Sequence, residues 1–180
     1  MSKHRKIRLE GKRIILRTLT REDAEQIQLA ANDSEIGRYT PLPHPFTLED
    51  AYKLIDGSRA NINQGKAIFL GVEFVNRVIG MAGLLRIDRS EQSSELGYWV
   101  GKDYRNMGLA GESLDTILYF GFVDQGLQRI WGRVTDKNMP SIKMLERRGF
   151  TLVKRVPDAR EIDGRKTDDL VYSLTKQEYS

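Results

Sequence analysis

A chain of 180 residues, 39% apolar and 30% charged, has the size and composition of one globular domain spanning residues 1–180, and not of a disordered or collagen-like protein. No apolar run approaches the roughly 20 residues needed to cross a bilayer, so the expectation is a cytoplasmic protein that does not contact membranes. Cysteine is absent and only His4 and His44 are present, which excludes disulfides, a cysteine nucleophile and a histidine-rich metal site. Both histidines read as surface residues. The formal charge is +4, with Lys3, Arg5, Lys6, Arg8, Lys12 and Arg13 crowded at the start and Lys143, Arg147, Arg148, Lys154 and Arg155 later. Such clusters suit cofactor phosphates, RNA or ribosome contact, or a solvated face.

In chain order, residues 13–17 carry Ile14, Ile15 and Leu16 and predict a first strand. Thr20 precedes Arg21, Glu22 and Asp23, a cap followed by first-turn acids, and the apolar spacing behind them predicts a helix over 21–31. Residues 37–46 hold Pro41, Pro43 and Pro45 and predict a loop, because proline lacks the amide hydrogen a helix or central strand needs. Thr47, Glu49 and Asp50 restart a helix that ends near Gly65, so this half of the chain reads as two helices around a flexible flap.

Residues 67–75 and 78–87 are rich in Val, Ile, Phe and Leu and predict an antiparallel hairpin turning at Asn76-Arg77. A fourth predicted strand covers 93–100, followed by a turn and a helix with Leu114, Ile117, Leu118 and Phe122 on one face. Strands at 129–134 and 150–156 flank a helix at 140–148 that opens on Pro140 and stops at Gly149. Asp163-Gly164 then predicts a hairpin returning through 169–174. The order β-α-α-β-β-β-α-β-α-β-β implies an α/β (α+β) fold: a mixed, mainly antiparallel central sheet with about four flanking helices and one parallel crossover.

The segment from Gly97 to Gly111 runs from a strand into a helix through Gly101, Gly108, Ala110 and Gly111. The first turn of a helix leaves amide hydrogens unpaired at the positive end of its dipole, so it holds an anion without any basic side chain. Arg105, just ahead of that turn, adds a cation. The alternative reading is that Gly108 and Gly111 only permit tight packing. A nucleoside-triphosphatase loop is excluded, since Gly101-Lys102 is followed by Asp103 and not by Ser or Thr.

Arg105, Gly108 and Ala110 fill the pattern Gln/Arg-x-x-Gly-x-Gly/Ala. Around them stand Glu95-Leu96-Gly97-Tyr98-Trp99-Val100, then Asn138-Met139-Pro140-Ser141-Ile142-Lys143-Met144-Leu145, then Arg148-Gly149-Phe150. In these blocks and their order the chain resembles the GCN5-related N-acetyltransferases, and within them the ribosomal-protein (RimJ/RimL-like) branch. The resemblance implies acetyl transfer from acetyl-CoA to an amine, a peptide N-terminus or a small molecule, by direct attack, with no metal. It also implies a possible homodimer. It assigns the pantetheine arm to the main chain of Trp99 and Val100, the pyrophosphate to Arg105, Asn106, Met107, Gly108, Leu109 and Ala110, and a supporting contact at the pantetheine end to Asn138.

For the chemistry, Glu95 is the candidate base, or else a strand glutamate in an ion pair, and Val100 the candidate amide donor to the oxyanion. Relatives place a tyrosine acid four residues after the position of Ser141, where this chain has Leu145. Ser141 is therefore the candidate hydrogen-bond donor to the departing thiolate, or a helix-capping residue. Asn106-Met107 departs from the glycine and basic residue relatives carry in the loop. Tyr98 and Trp99, on opposite faces by alternation, divide between cleft and core. Two rivals keep the fold without catalysis: a ribosome- or RNA-associated binding protein and a CoA-binding sensor.

Overall fold

Local sequence accounts for most element boundaries in the computed structural model, which describes residues 5–179. Lys3 and His4 lie outside the described residues. Two short strands, β1 (Arg8–Glu10) and β2 (Ile14–Arg17), lead through a 3-10 turn (Arg21–Asp23) into α1 (Ala24–Ala31), α2 (Ser34–Tyr39) and α3 (Leu48–Gln64). Then come β3 (Ile68–Phe74), β4 (Arg77–Asp88), β5 (Ser93–Val100), α4 (Leu109–Tyr119), β6 (Arg129–Thr135), α5 (Met139–Glu146), β7 (Thr151–Ile162) and β8 (Arg165–Thr175). No helix among the described residues is long and apolar enough to cross a membrane.

The expected helix starts and turns have physical counterparts. Thr47 and Asp50 form a reciprocal capping box at α3, and Gly65 ends that helix in the left-handed region at φ 69°. Asp163 and Gly164, at φ 51° and 73°, make the predicted β7–β8 turn.

Three expectations need correction. The β3–β4 turn is centred on Val75-Asn76, at φ 47° and 60°, one residue earlier than Asn76-Arg77. Pairing of Phe74 with Arg77 puts Arg77 in the strand, so the two left-handed positions fall on the preceding pair. Part of the proline-rich loop is helical: α2 runs to Tyr39, because Asp33 caps it by accepting from the Glu35 amide at 3.1 Å, and the irregular stretch starts at Thr40. Finally β1 precedes the predicted first strand, so residues 93–100 form the fifth strand among the described residues.

The eight strands lie in the order β1-β2-β3-β4-β5-β6-β8-β7. Every neighbouring pair is antiparallel except β5–β6. Apolar layers cover both faces: Leu19, Ile27, Phe46, Ile55, Met81 and Trp99 beneath α1 and α3, and Leu109, Leu114, Ile117, Ile130, Ile142 and Leu145 beneath α4 and α5. Each such side chain stabilises the fold by about 1.5–3 kcal/mol through removal from water. Close strand approach requires glycine at Gly83, where an added Cβ would lie 2.0 Å from the Ile68 carbonyl oxygen.

One break in the sheet positions the site. β5 stays paired with β4 up to Val100, but with β6 it pairs only from Ser93 to Glu95, opposite Arg129 to Trp131. Beyond Glu95 the two parallel strands part, and β6 continues on β8 as far as Thr135. The wedge between them opens toward their C-terminal ends.

Candidate active site

A cleft of about 1410 Å³ occupies that wedge. Glu95, Trp99, Val100, Arg105, Asn106, Gly108, Leu109, Ala110, Asn138 and Ser141 all line it. Met107 does not: it is 43% exposed, and its carbonyl accepts from Arg13 Nη1 at 3.0 Å. Residues 46 positions apart in sequence, from Glu95 to Ser141, thus meet in one cavity because the strands that carry or precede them splay.

The floor has an unpaired strand edge. Gly101 donates its amide to the Ile79 carbonyl on β4 at 2.8 Å. Main-chain polar groups of a strand alternate sides, so those of Trp99 also face β4, whereas those of Tyr98 and Val100 face the gap left by β6. A ligand in the cleft can bond with Tyr98 and Val100 as a further strand would; the Trp99 main chain is already committed to the ladder.

At one end of this edge the loop enters α4. Asn106 at φ 59° and Gly108 at φ 77° turn the backbone, and the first intrahelical bond runs from the Glu112 amide to the Gly108 carbonyl at 3.0 Å. The amides of Leu109, Ala110 and Gly111 therefore lie ahead of the helical ladder at the positive end of its dipole. At Gly111 an added Cβ would lie 2.6 Å from Arg148 Nη2, so that guanidinium would have to shift. That guanidinium bridges α5 to α4 by pairing with Asp115 at 2.7 Å. Gly108 thus serves the turn, and Gly111 lies against the Arg148 guanidinium.

Arg105 is placed differently from a free phosphate ligand. Its guanidinium pairs with Asp33 and Glu35, joining the phosphate-type loop to the start of α2. The other end of α2 is tied across the cleft mouth by Arg38, 3.1 Å from Asp163 at the β7–β8 tip. Ile36, Tyr39, Thr40 and Leu42 line the cleft, so α2 and the loop after it are one of its walls.

Glu95 sits where β5 and β6 part. Its side chain is 15% exposed and lies 3.2 Å from Arg86 Nε, so the ion-pair reading is present in the geometry alongside its place in the cleft. Burial pushes its carboxyl above the usual range, against the opposing charges of Arg86 and Arg133. On the other side, the Asn138 side chain caps α5 by accepting from the Ser141 amide at 3.3 Å. The Ser141 hydroxyl is left for another partner, and the Tyr98 hydroxyl stands 2.6 Å from it. Burial also raises the Tyr98 phenol, with the Ser141 contact opposing. Leu145 is 3% exposed and packs in the core.

Sequence reasoning missed this Tyr98–Ser141 contact. Alternation does place Tyr98 toward the α4–α5 layer and Trp99 toward the α1–α3 layer, as expected. The partner, 43 residues away, depends on how α5 docks over the wedge, for which no local signal exists.

Comparison with known proteins agrees with this geometry. The family model described as Acetyltransferase (GNAT) domain matches residues 13–151. The N-acetyltransferase p20 of Bacillus licheniformis is 29% identical over 96% of this chain and 98% of its own. The [ribosomal protein uS5]-alanine N-acetyltransferase of Escherichia coli is 24% identical over 97% of this chain and 94% of its own. Among solved structures, Mycobacterium smegmatis RimJ in complex with CoA-disulfide superposes with a TM-score of 0.84 at 22% identity, covering 96% of this chain and 88% of that one. The chain belongs to the GNAT family of acetyl-CoA-dependent N-acetyltransferases.

Proposed function

We propose that the acceptor is a primary amine, the N-terminus of a peptide or a small molecule, which attacks the acetyl thioester directly in the wedge between β5 and β6. The observation that carries this reading is the unpaired edge of Tyr98 and Val100 running from Glu95 to the free amides at the start of α4. A pantetheine amide arm suits the edge as an added strand, and a pyrophosphate suits the amides of Leu109, Ala110 and Gly111.

The residues divide the work. Glu95 takes the proton of the incoming ammonium, directly or through water, and burial raises its carboxyl in the direction that favours this role. The Val100 amide points into the gap and donates to the oxyanion as the tetrahedral centre forms. Collapse expels the thiolate, to which Ser141 donates. Asn138 acts by holding the first turn of α5, and so Ser141, in place. Trp99 contributes its buried side chain to the α1–α3 wall, while its main chain serves the sheet.

Ala110→Glu tests the phosphate placement. A carboxylate in the first turn of α4 suits the helix dipole, so the melting temperature should hold, while CoA binding measured by calorimetry should weaken more than about tenfold through charge repulsion. Unchanged affinity would refute the placement.

A further inference from the structure

A serine hydroxyl carries one hydrogen. In a donor role that hydrogen must point at the departing sulfur, and an isolated serine does not ensure this because its rotor is free. The Tyr98 hydroxyl lies 2.6 Å from Ser141 Oγ, and both side chains line the cleft. Tyr98 is carried by β5, whose main chain forms the cleft floor, and Ser141 by the first turn of α5, held by Asn138. These two elements are thus joined by a hydrogen bond at Ser141, four residues before Leu145 on α5.

From the geometry we infer that Tyr98 is a positioning residue for the leaving-group step: its phenol donates to Ser141 Oγ and thereby turns the serine hydrogen toward the thiolate of CoA. The direction of the bond follows from acidity. A phenol, with an ordinary pKa near 10, is a far stronger donor than an aliphatic alcohol, so the short contact runs from Tyr98 to Ser141. The occupied oxygen lone pair then leaves the serine hydrogen for an acceptor in the cleft, and donation into Oγ polarises that hydrogen further.

This rests on the acetyl-transfer reading above and adds the fate of the proton. When the tetrahedral intermediate collapses, the C–S bond breaks and its electron pair moves onto sulfur. Ser141 donates its hydrogen bond to that sulfur as the charge develops, while Tyr98 stays protonated and bonded to Ser141 Oγ. The thiolate takes up, through solvent, the proton that Glu95 removed from the amine. From ammonium to amide the nitrogen loses two protons, one before attack and one from the tetrahedral adduct; one ends on the thiol and the other is released to solvent, so the reaction balances. The phenol that relatives carry on the helix is replaced here by one reaching the same region from the strand.

The test uses the full chain, acetyl-CoA, and as acceptors alanine- and serine-initiated peptides and spermidine, with thiol release as readout. Tyr98→Phe should lower kcat about tenfold, and Ser141→Ala up to about a hundredfold, with KM for acetyl-CoA and CoA affinity unchanged. The double variant should be no slower than Ser141→Ala alone, since Tyr98 acts only through Ser141. A Tyr98→Phe protein with wild-type kcat, or additive losses in the double variant, overturns the inference while leaving acetyl transfer intact. A wild-type protein that releases no thiol with any acceptor overturns both. Ser141→Thr, which keeps the hydroxyl, should recover most of the lost rate, and failure to do so with unchanged melting would also count against the inference.

Discussion

At the scale of single residues, the site is a set of ordinary side chains made useful by partial burial. Glu95 shows this most directly. Because burial raises its carboxyl, the base form is lost on acidification at a higher pH than for a free glutamate, whose ordinary value is 4.5. The acid limb of the rate profile should therefore lie above that value, and Glu95→Gln should lower kcat by about 10²- to 10⁴-fold without weakening CoA binding. A rate profile flat to pH 4 would remove Glu95 from the base role and leave its ion pair with Arg86 as its function. The residue types at this site were legible in the sequence: ten of the assigned positions line the cleft. Pairings were not. Nothing local to Arg105 signals Asp33 and Glu35, and nothing local to Tyr98 signals Ser141, since each contact spans a long stretch of chain.

At the scale of elements, α2 matters most, and it was the least legible. Six residues with a glycine in the middle give little periodicity to read, and the prolines that follow dominate the signal. Yet α2 lines the cleft, held by Arg105 at its start and by Arg38 to Asp163 near its end. The long elements were easier. The β3–β4 and β7–β8 hairpins, α3 and α4 follow from apolar spacing, caps and left-handed turn residues, although β7 runs six residues further and β8 starts four residues earlier than expected. Since Arg105 is partly exposed, its pairs are worth about 1 kcal/mol. Arg105→Ala should accordingly speed amide exchange in α2 roughly fivefold, with α4 and α5 unaffected. Equal exchange in the two proteins would show that the wall is held by its apolar contacts alone.

At the scale of the whole molecule, the sheet is held together at both ends by buried or half-buried ion pairs that make stability depend on pH. Asp169 on β8 is 3% exposed and receives Arg133 at 2.5 Å and Arg160 at 2.9 Å. Burial raises its carboxyl, but the hydrogen bonds from Arg160 and Arg133 outweigh burial and hold it below the usual range. Asp23 likewise is raised by burial and brought below the usual range by Arg17 and Thr20. A carboxyl depressed in the folded state contributes stability above its unfolded value, near 4, and loses it as pH falls through the lower folded value. Melting temperature should therefore drop steeply below about pH 4. Asp169→Asn should cost about 2 kcal/mol at neutral pH, less than a fully buried pair because Arg133 and Arg160 are partly exposed, and should flatten the acid slope. An unchanged acid slope in that variant would move the pH dependence to other carboxyls.

The whole-molecule arrangement also states what the enzyme must do. A single parting of parallel strands brings a main-chain edge and the amides at the start of α4 to one cleft, and this is where the proposed acetyl transfer is placed. The most direct measurement is release of CoA thiol from acetyl-CoA by the purified protein, with and without added peptide, polyamine and small primary amines. Turnover that requires both the protein and one of the amines, and that yields the N-acetylated amine in equal amount by mass spectrometry, is the predicted result. CoA binding without amine-dependent thiol release across that panel would contradict it.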